Sequence, residues 1–189
     1  MNWSYCRIDD INECEYTSIY RSLSASRKKH IDRFRKEHNK KCSLAGEHLA
    51  KKLIGNETVI DIDDNGKPYA KGLNIHFSIS HCDDTVVCVA SDTAVGIDIE
   101  RIKPINLRLA KKVCVDEEMD YLFCKTPTQA DFTFCEDQNI LHRFYEIWTA
   151  KEAYFKKLGT GITDLKCINI LTLNREIHLL GEYIVQIVK

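Results

Sequence analysis

Apolar positions recur along this chain in two ways, as helix-like spacings and as short β-branched runs, and they separate helical from extended stretches. Residues 3–8 read as a strand. Residues 17–35 are mostly helical in composition, with Leu23, Ile31 and Phe34 as apolar anchors. Residues 43–54 predict a second helix, with Leu44, Leu49 and Leu53 on one face and Gly55-Asn56 as its stop. The segment Asp63-Asp64-Asn65-Gly66-Lys67-Pro68 predicts a turn. Three apolar runs follow, at 75–80, 85–90 and 95–99, and their length and β-branched content predict strands. Pro104 marks the middle of the chain. Beyond it, 106–113 and 116–123 are helix-like, 125–139 is polar around Pro127 and predicts an exposed loop, and 140–158 is the strongest helix, ended by Gly159 and Gly161. Residues 167–173, 177–180 and 183–188 predict strands. Each half runs helices first and strands later, without a residue-level repeat.

The chain has 189 residues, enough for one or two compact domains that bury about 70% of the unfolded surface. Hydrophobic residues make up 44% and charged residues 29%, the balance of a soluble globular protein. The formal net charge is −1, which disfavours binding to nucleic acid or membrane by global charge. A local basic cluster is present at Arg27, Lys28, Lys29, His30, Arg33, Arg35, Lys36, Lys40 and Lys41; such runs are usually solvated faces, but this one permits an anionic ligand. The N-terminus lacks the basic-then-apolar pattern of a signal peptide, and no apolar stretch nears the roughly 20 residues of a membrane span, so a cytoplasmic location is expected. Nine cysteines without a CxxC pair read as free thiols, several of them buried; a zinc site would need distant cysteines to converge.

Four segments carry candidate chemistry. In Val95-Gly96-Ile97-Asp98-Ile99-Glu100, strand alternation sends Val95, Ile97 and Ile99 to a core and puts Gly96, Asp98 and Glu100 on the other face. Two carboxylates so placed repel unless neutralised, and a hard cation such as Mg²⁺ suits them. The competing reading is a solvated strand end beside Arg101 and Lys103. On the helix containing Trp148-Thr149-Ala150-Lys151-Glu152-Ala153-Tyr154-Phe155-Lys156, the residues Trp148, Glu152 and Lys156 line one face. Alone, that stripe reads as a core tryptophan and a surface ion pair. In Phe77-Ser78-Ile79-Ser80-His81, Phe77 and Ile79 face a core, Ser78 and Ser80 face away, and His81 is either a surface residue or a phosphate donor. Lys67, at the tip of Gly66-Lys67-Pro68-Tyr69, is a solvated lysine or a phosphate contact.

Together, and in this order, GKPY, FSISH, GIDIE and WTAKEAYFKKLGTGI closely resemble the Sfp-type 4′-phosphopantetheinyl transferases over roughly residues 20–170. The resemblance implies an α+β fold: a pseudo-dimer of two similar subdomains, each with helices packed on a small, mostly antiparallel sheet. Here these would be residues 1–103 and 104–189, with the site in the cleft between them. It implies transfer of the 4′-phosphopantetheine arm of coenzyme A to a serine of an apo acyl or peptidyl carrier protein, releasing 3′,5′-ADP. Asp98, Glu100 and Glu152 would hold Mg²⁺, or Mn²⁺ in its place, with the coenzyme A pyrophosphate. Glu152 would take the serine proton, Lys156 would assist the leaving group, Lys67, Ser80 and His81 would grip phosphates, and Arg27 would contact the 3′-phosphate. A monomer is expected, with no nucleic-acid or membrane partner. Cys42 and His30 stand where the family often has basic residues, and the chain stops at Lys189, where relatives usually continue for another strand. An Asp plus Glu-x-Lys nuclease is disfavoured, because Ile102 follows Glu100 by two and the charge is not basic. A non-catalytic module binding coenzyme A or a carrier protein is the other alternative.

Overall fold

The computed structural model describes residues 1–124 and 134–189. Strand β1 (Asn2–Arg7) leads into helices α1 (Glu13–Arg21), α2 (Ala25–Ile31) and α3 (Glu37–Ile54). The helix expected across 17–35 is therefore broken. Ser22 ends α1, and the Ser24 side chain accepts from Arg27 N to start α2. Leu23 is buried between them, so the apolar anchor persists where the helix does not. A capping box of Asn12 and Glu15 starts α1 upstream of residue 17. Helix α3 also begins earlier than residue 43, and it stops at Gly55, whose φ of +114° favours glycine.

Strands β2 (Ile60–Ile62) and β3 (Pro68–Ala70) form a hairpin around the predicted turn. Asp63 Oδ1 accepts from Asn65 N and Lys67 N there, and Gly66 takes φ +82°. Pro68 starts β3 rather than excluding a strand, as a first-residue proline can. The three predicted strands are β4 (His76–Cys82), β5 (Thr85–Ser91) and β6 (Gly96–Arg101).

The second half contains β7 (Ile105–Asn106), α4 (Arg108–Val113), α5 (Asp116–Leu122), β8 (Phe134–Cys135), α6 (Gln138–Leu158), β9 (Arg175–Leu180) and β10 (Tyr183–Val188). Residues 125–133 of the expected loop lie outside the described residues; the rest of it forms β8, which pairs with β7, and the start of α6. The strand expected at 167–173 is replaced by two 3₁₀ turns, Leu165–Cys167 and Ile170–Thr172. Asp164 and Asn169 impose them, since each side chain accepts a backbone N–H two residues on and so competes with a ladder.

Two antiparallel three-stranded sheets result, β1-β5-β4 and β6-β10-β9. Helix α3 packs on the first and α6 on the second, which gives two similar α+β halves. Their opposite faces meet over Val87, Val89, Val95, Ile97, Ile99, Val185 and Ile187, all buried. At one side β4 lies beside β6, where Ile97 N donates to Ser78 Oγ (3.2 Å). At the other, Trp3 of β1 lies over His178 of β9, with ring centroids 4.7 Å apart. Strand β6 precedes residue 103, yet its ladder partner is β10. No helix among the described residues is long and apolar enough to cross a membrane.

Candidate active site

Gly96 decides how closely α6 approaches β6. A Cβ there would overlap the Ala153 carbonyl and lie 2.6 Å from Lys157 N. With glycine, the helix lies directly on the strand and its Trp148–Glu152–Lys156 face reaches the carboxylates of β6. Asp98, 2% exposed, is the hub. Its Oδ1 accepts from Lys156 Nζ (2.5 Å) and Ser80 Oγ (2.7 Å), and Lys156 Nζ also donates to Ser80 Oγ (2.6 Å). Ser80 is itself buried, which corrects the simple picture of β4's second face pointing away from the core. Asp98 Oδ2 is buried and has no hydrogen-bond partner.

Glu100, next but one on the same face, accepts from Trp148 Nε1 (3.3 Å) and from Cys82 Sγ (3.7 Å). Burial first, and the Asp98 charge second, push its pKa up. Glu152 on α6 is pushed up further, to about 7, by desolvation and then by Asp98 and Glu100, while Lys156 pulls the other way. Three carboxylates thus confront one ammonium, and burial first, with that excess negative charge second, raises the pKa of Glu100 and Glu152. An orphaned buried oxygen and surplus acid charge fit the donor set of a hard divalent cation. Among the described residues, no three of these groups already stand in ligating geometry around one point.

His81 is exposed at its surface, and the protein around it, followed by Lys156, lowers its pKa. Lys67 is held differently. Its Nζ donates to the Lys157 carbonyl (2.7 Å), so it caps the end of α6 and ties the β2–β3 turn to that helix. Desolvation lowers its pKa. A cleft of about 280 Å³ opens between this turn, Phe77–Ile79 of β4, Lys156 and the glycines 159 and 161 that follow α6. Arg27 stands apart from this group. It is 4% exposed, and its guanidinium pairs with Glu47 (3.1 Å) and donates to Ser43 Oγ (3.4 Å).

The sequence reading missed Cys82 beside Glu100. A single cysteine after a Ser-His pair carries no signal of its own, and only the placement of β4 beside β6 reveals the neighbour.

Two family models match consecutive parts of the chain. One, described as the N-terminal part of 4′-phosphopantetheinyl transferase, spans residues 10–93, and the other, the 4′-phosphopantetheinyl transferase superfamily, spans 94–183. Among curated relatives, the 4′-phosphopantetheinyl transferase gsp of Aneurinibacillus migulanus is 36% identical over 127 residues, covering 64% of this chain and 49% of the relative. The transferase psf-1 of Bacillus pumilus is 31% identical over 150 residues, covering 75% and 60%. The transferase Sfp of Bacillus subtilis strain 168 is 29% identical over 150 residues, covering 75% and 62%. The matches thus span about half to three fifths of the length of these relatives.

Proposed function

The chain belongs to the 4′-phosphopantetheinyl transferases of the Sfp type, and from that premise we propose that it transfers the 4′-phosphopantetheine arm of coenzyme A to a serine of an apo acyl or peptidyl carrier protein. The observation that carries the reading is the Asp98 hub, where a buried carboxylate with one orphaned oxygen meets Lys156 and Ser80 beside two more acids. Such a site suits phosphoryl-type transfer, which needs positioning and charge neutralisation more than a covalent partner.

In the proposed reaction the carrier serine Oγ bonds to the β-phosphorus of coenzyme A, and the bond from that phosphorus to the 3′,5′-ADP oxygen breaks. Glu152, which faces the hub from α6, would accept the serine proton directly or through a water. Lys156, one-third exposed, can turn from Asp98 toward the departing oxyanion and stabilise it. Ser80 and His81 offer further donors at the mouth of the hub, and Lys67 a second cation at the end of α6. Asp98, Glu100 and Glu152 are the residues that would hold Mg²⁺ or Mn²⁺, which when bound neutralises and orients the pyrophosphate oxygens. The cleft beside Lys156 would take only part of coenzyme A. Arg27 offers little surface to a 3′-phosphate while it is buried against Glu47.

We read the protein as a cytoplasmic monomer without nucleic-acid or membrane partners. Nine unpaired cysteines support a reducing compartment, and a net charge of −1 supports the absence of a polyanionic partner. The presence of all three candidate ligands together with Lys156 argues against a non-catalytic binding module. The test is incubation with coenzyme A, Mg²⁺ and a panel of apo carrier proteins, followed by mass spectrometry. Addition of phosphopantetheine to at least one carrier is expected, and its loss in Asp98→Ala and Glu152→Ala. No addition to any carrier would remove the activity; undiminished activity in both variants would remove the site.

A further inference from the structure

Lys151 immediately precedes Glu152 on α6 and is 0% exposed. Its ammonium pairs with Glu118, also 0% exposed, at 2.7 Å. It donates as well to the carbonyls of Val113 (2.9 Å), Leu165 (2.7 Å) and Ile168 (2.8 Å). Glu118 is equally engaged, accepting from Val115 N (2.9 Å) and Ile170 N (2.8 Å). A buried ion pair is a poor device for stability alone, because apolar residues of similar volume often do as well. What an apolar residue cannot do here is hold two carbonyls of the segment that follows α6.

Apart from Leu165, which packs against the core of the second half, and contacts of its 3₁₀ turn with α4, that segment has little else to hold it. Among the described residues, the other hydrogen bonds made by residues 160–168 are local: Thr160 Oγ1 to Gly161 O, Lys166 N to Asp164 Oδ1, and Cys167 N to Asp164 O. It starts at Gly159 (φ +73°) and Gly161 (φ +71°), and with Ile162 these form one wall of the cleft. Helix α6 is secured independently, by fully buried Leu141, Phe144 and Ile147 and by its seat on β6.

We propose that Lys151 is a positioning residue: its ammonium ties residues 160–168 back onto α6 and so fixes the wall of the cleft that grips coenzyme A. The inference rests on the transferase reading of that cleft. It assigns Lys151 to substrate affinity, not to the transfer step, since the acids and Lys156 ride on elements that do not depend on the tie.

The test compares Lys151→Met, which cuts the tie, with Glu118→Gln, which leaves the lysine bonded to both carbonyls. The double variant Lys151→Met/Glu118→Gln removes the unpaired buried carboxylate and stands in if Lys151→Met alone does not fold. Amide hydrogen exchange over 160–168, coenzyme A affinity by calorimetry and transfer kinetics are measured on each. Loss of the tie is expected to speed exchange over 160–168 by about tenfold or more and to weaken coenzyme A binding and raise its KM by about tenfold, with kcat within about twofold. Glu118→Gln should leave exchange over 160–168 and affinity near wild type, although both variants lower thermal stability. Unchanged exchange over 160–168 in the lysine variants overturns the tie. Faster exchange with unaltered coenzyme A affinity overturns its role in binding. If the wild type neither binds coenzyme A nor transfers from it, the transferase reading fails, and the exchange comparison still decides the tie.

Discussion

The Lys156 ammonium lies 2.5 Å from Asp98 Oδ1, and the two partners are unequally buried: the Asp98 side chain is 3% exposed and that of Lys156 33%. The lysine can leave for solvent or for a ligand, and the carboxylate cannot. Breaking the pair from its two ends should therefore give different results. Asp98→Asn strands only a cation that water can reach, so thermal stability should change little, while kcat for transfer falls by about 10²-fold or more. Lys156→Met strands a buried carboxylate and should cost both activity and about 1–2 kcal/mol of stability, less than the usual cost of breaking a fully buried pair because the lost partner was partly solvated. Denaturant unfolding and a transfer assay on both variants check this; equal stability losses would contradict it.

Glu152 sets a pH dependence of stability whose sign can be worked out. Its folded pKa, about 7, is above the usual 4.5 because burial and two neighbouring acids disfavour the charge. A carboxyl raised in the folded state contributes stability that is fully present below its unfolded pKa and is lost as pH rises through the folded one. Glu152→Gln removes that loss. Without divalent cations, the variant and wild type should melt alike near pH 4.5, and the variant should melt a few degrees higher by pH 8. Added Mg²⁺ should raise the wild-type Tm more than that of the variant. A wild type that melts higher at pH 8 in chelator would refute the assignment.

Gly96 should tolerate no side chain. The Cβ of Gly96→Ala meets backbone atoms of Ala153 and Lys157, which cannot swing aside like the end of a side chain. The helix must lift from β6, taking Lys156 away from Asp98. A loss of about 2–4 kcal/mol in urea unfolding is expected, together with loss of transfer in whatever fraction remains folded.

The parts of this site that strand and helix periodicity control were legible beforehand. Alternation along 95–100 put Asp98 and Glu100 on one face, and helical spacing put Trp148, Glu152 and Lys156 on another; the structure brings the two faces together. What depends on chain crossings was not legible. Ser80 reads as pointing away from the core until β6 is placed beside β4. Nothing in the sequence marks Lys151, because its acceptors at Val113, Leu165 and Ile168 lie 38, 14 and 17 residues away. The strand expected at 167–173 failed for a local reason, the backbone-bonding side chains of Asp164 and Asn169, whose preference outweighs a short apolar run.

Trp148 separates packing from hydrogen bonding at Glu100. Its ring stacks on Phe144, with centroids 6.2 Å apart, and its Nε1–H donates to Glu100 Oε1. Trp148→Phe keeps most of the aromatic surface and deletes only the donor. That donor favours the charged form of Glu100, so its loss should push the Glu100 pKa still higher and weaken the residue as a cation ligand. Stability should fall by only about 1 kcal/mol, the net worth of one such bond. Mn²⁺ affinity, followed by the free-ion magnetic resonance signal, should fall by about tenfold, as it does when a partner that orients a metal ligand is removed. Trp148→Ala loses the packing as well and serves as the comparison. If Trp148→Phe binds Mn²⁺ as wild type does and only Trp148→Ala is impaired, the tryptophan acts through its bulk, and the indole N–H has no part in preparing Glu100.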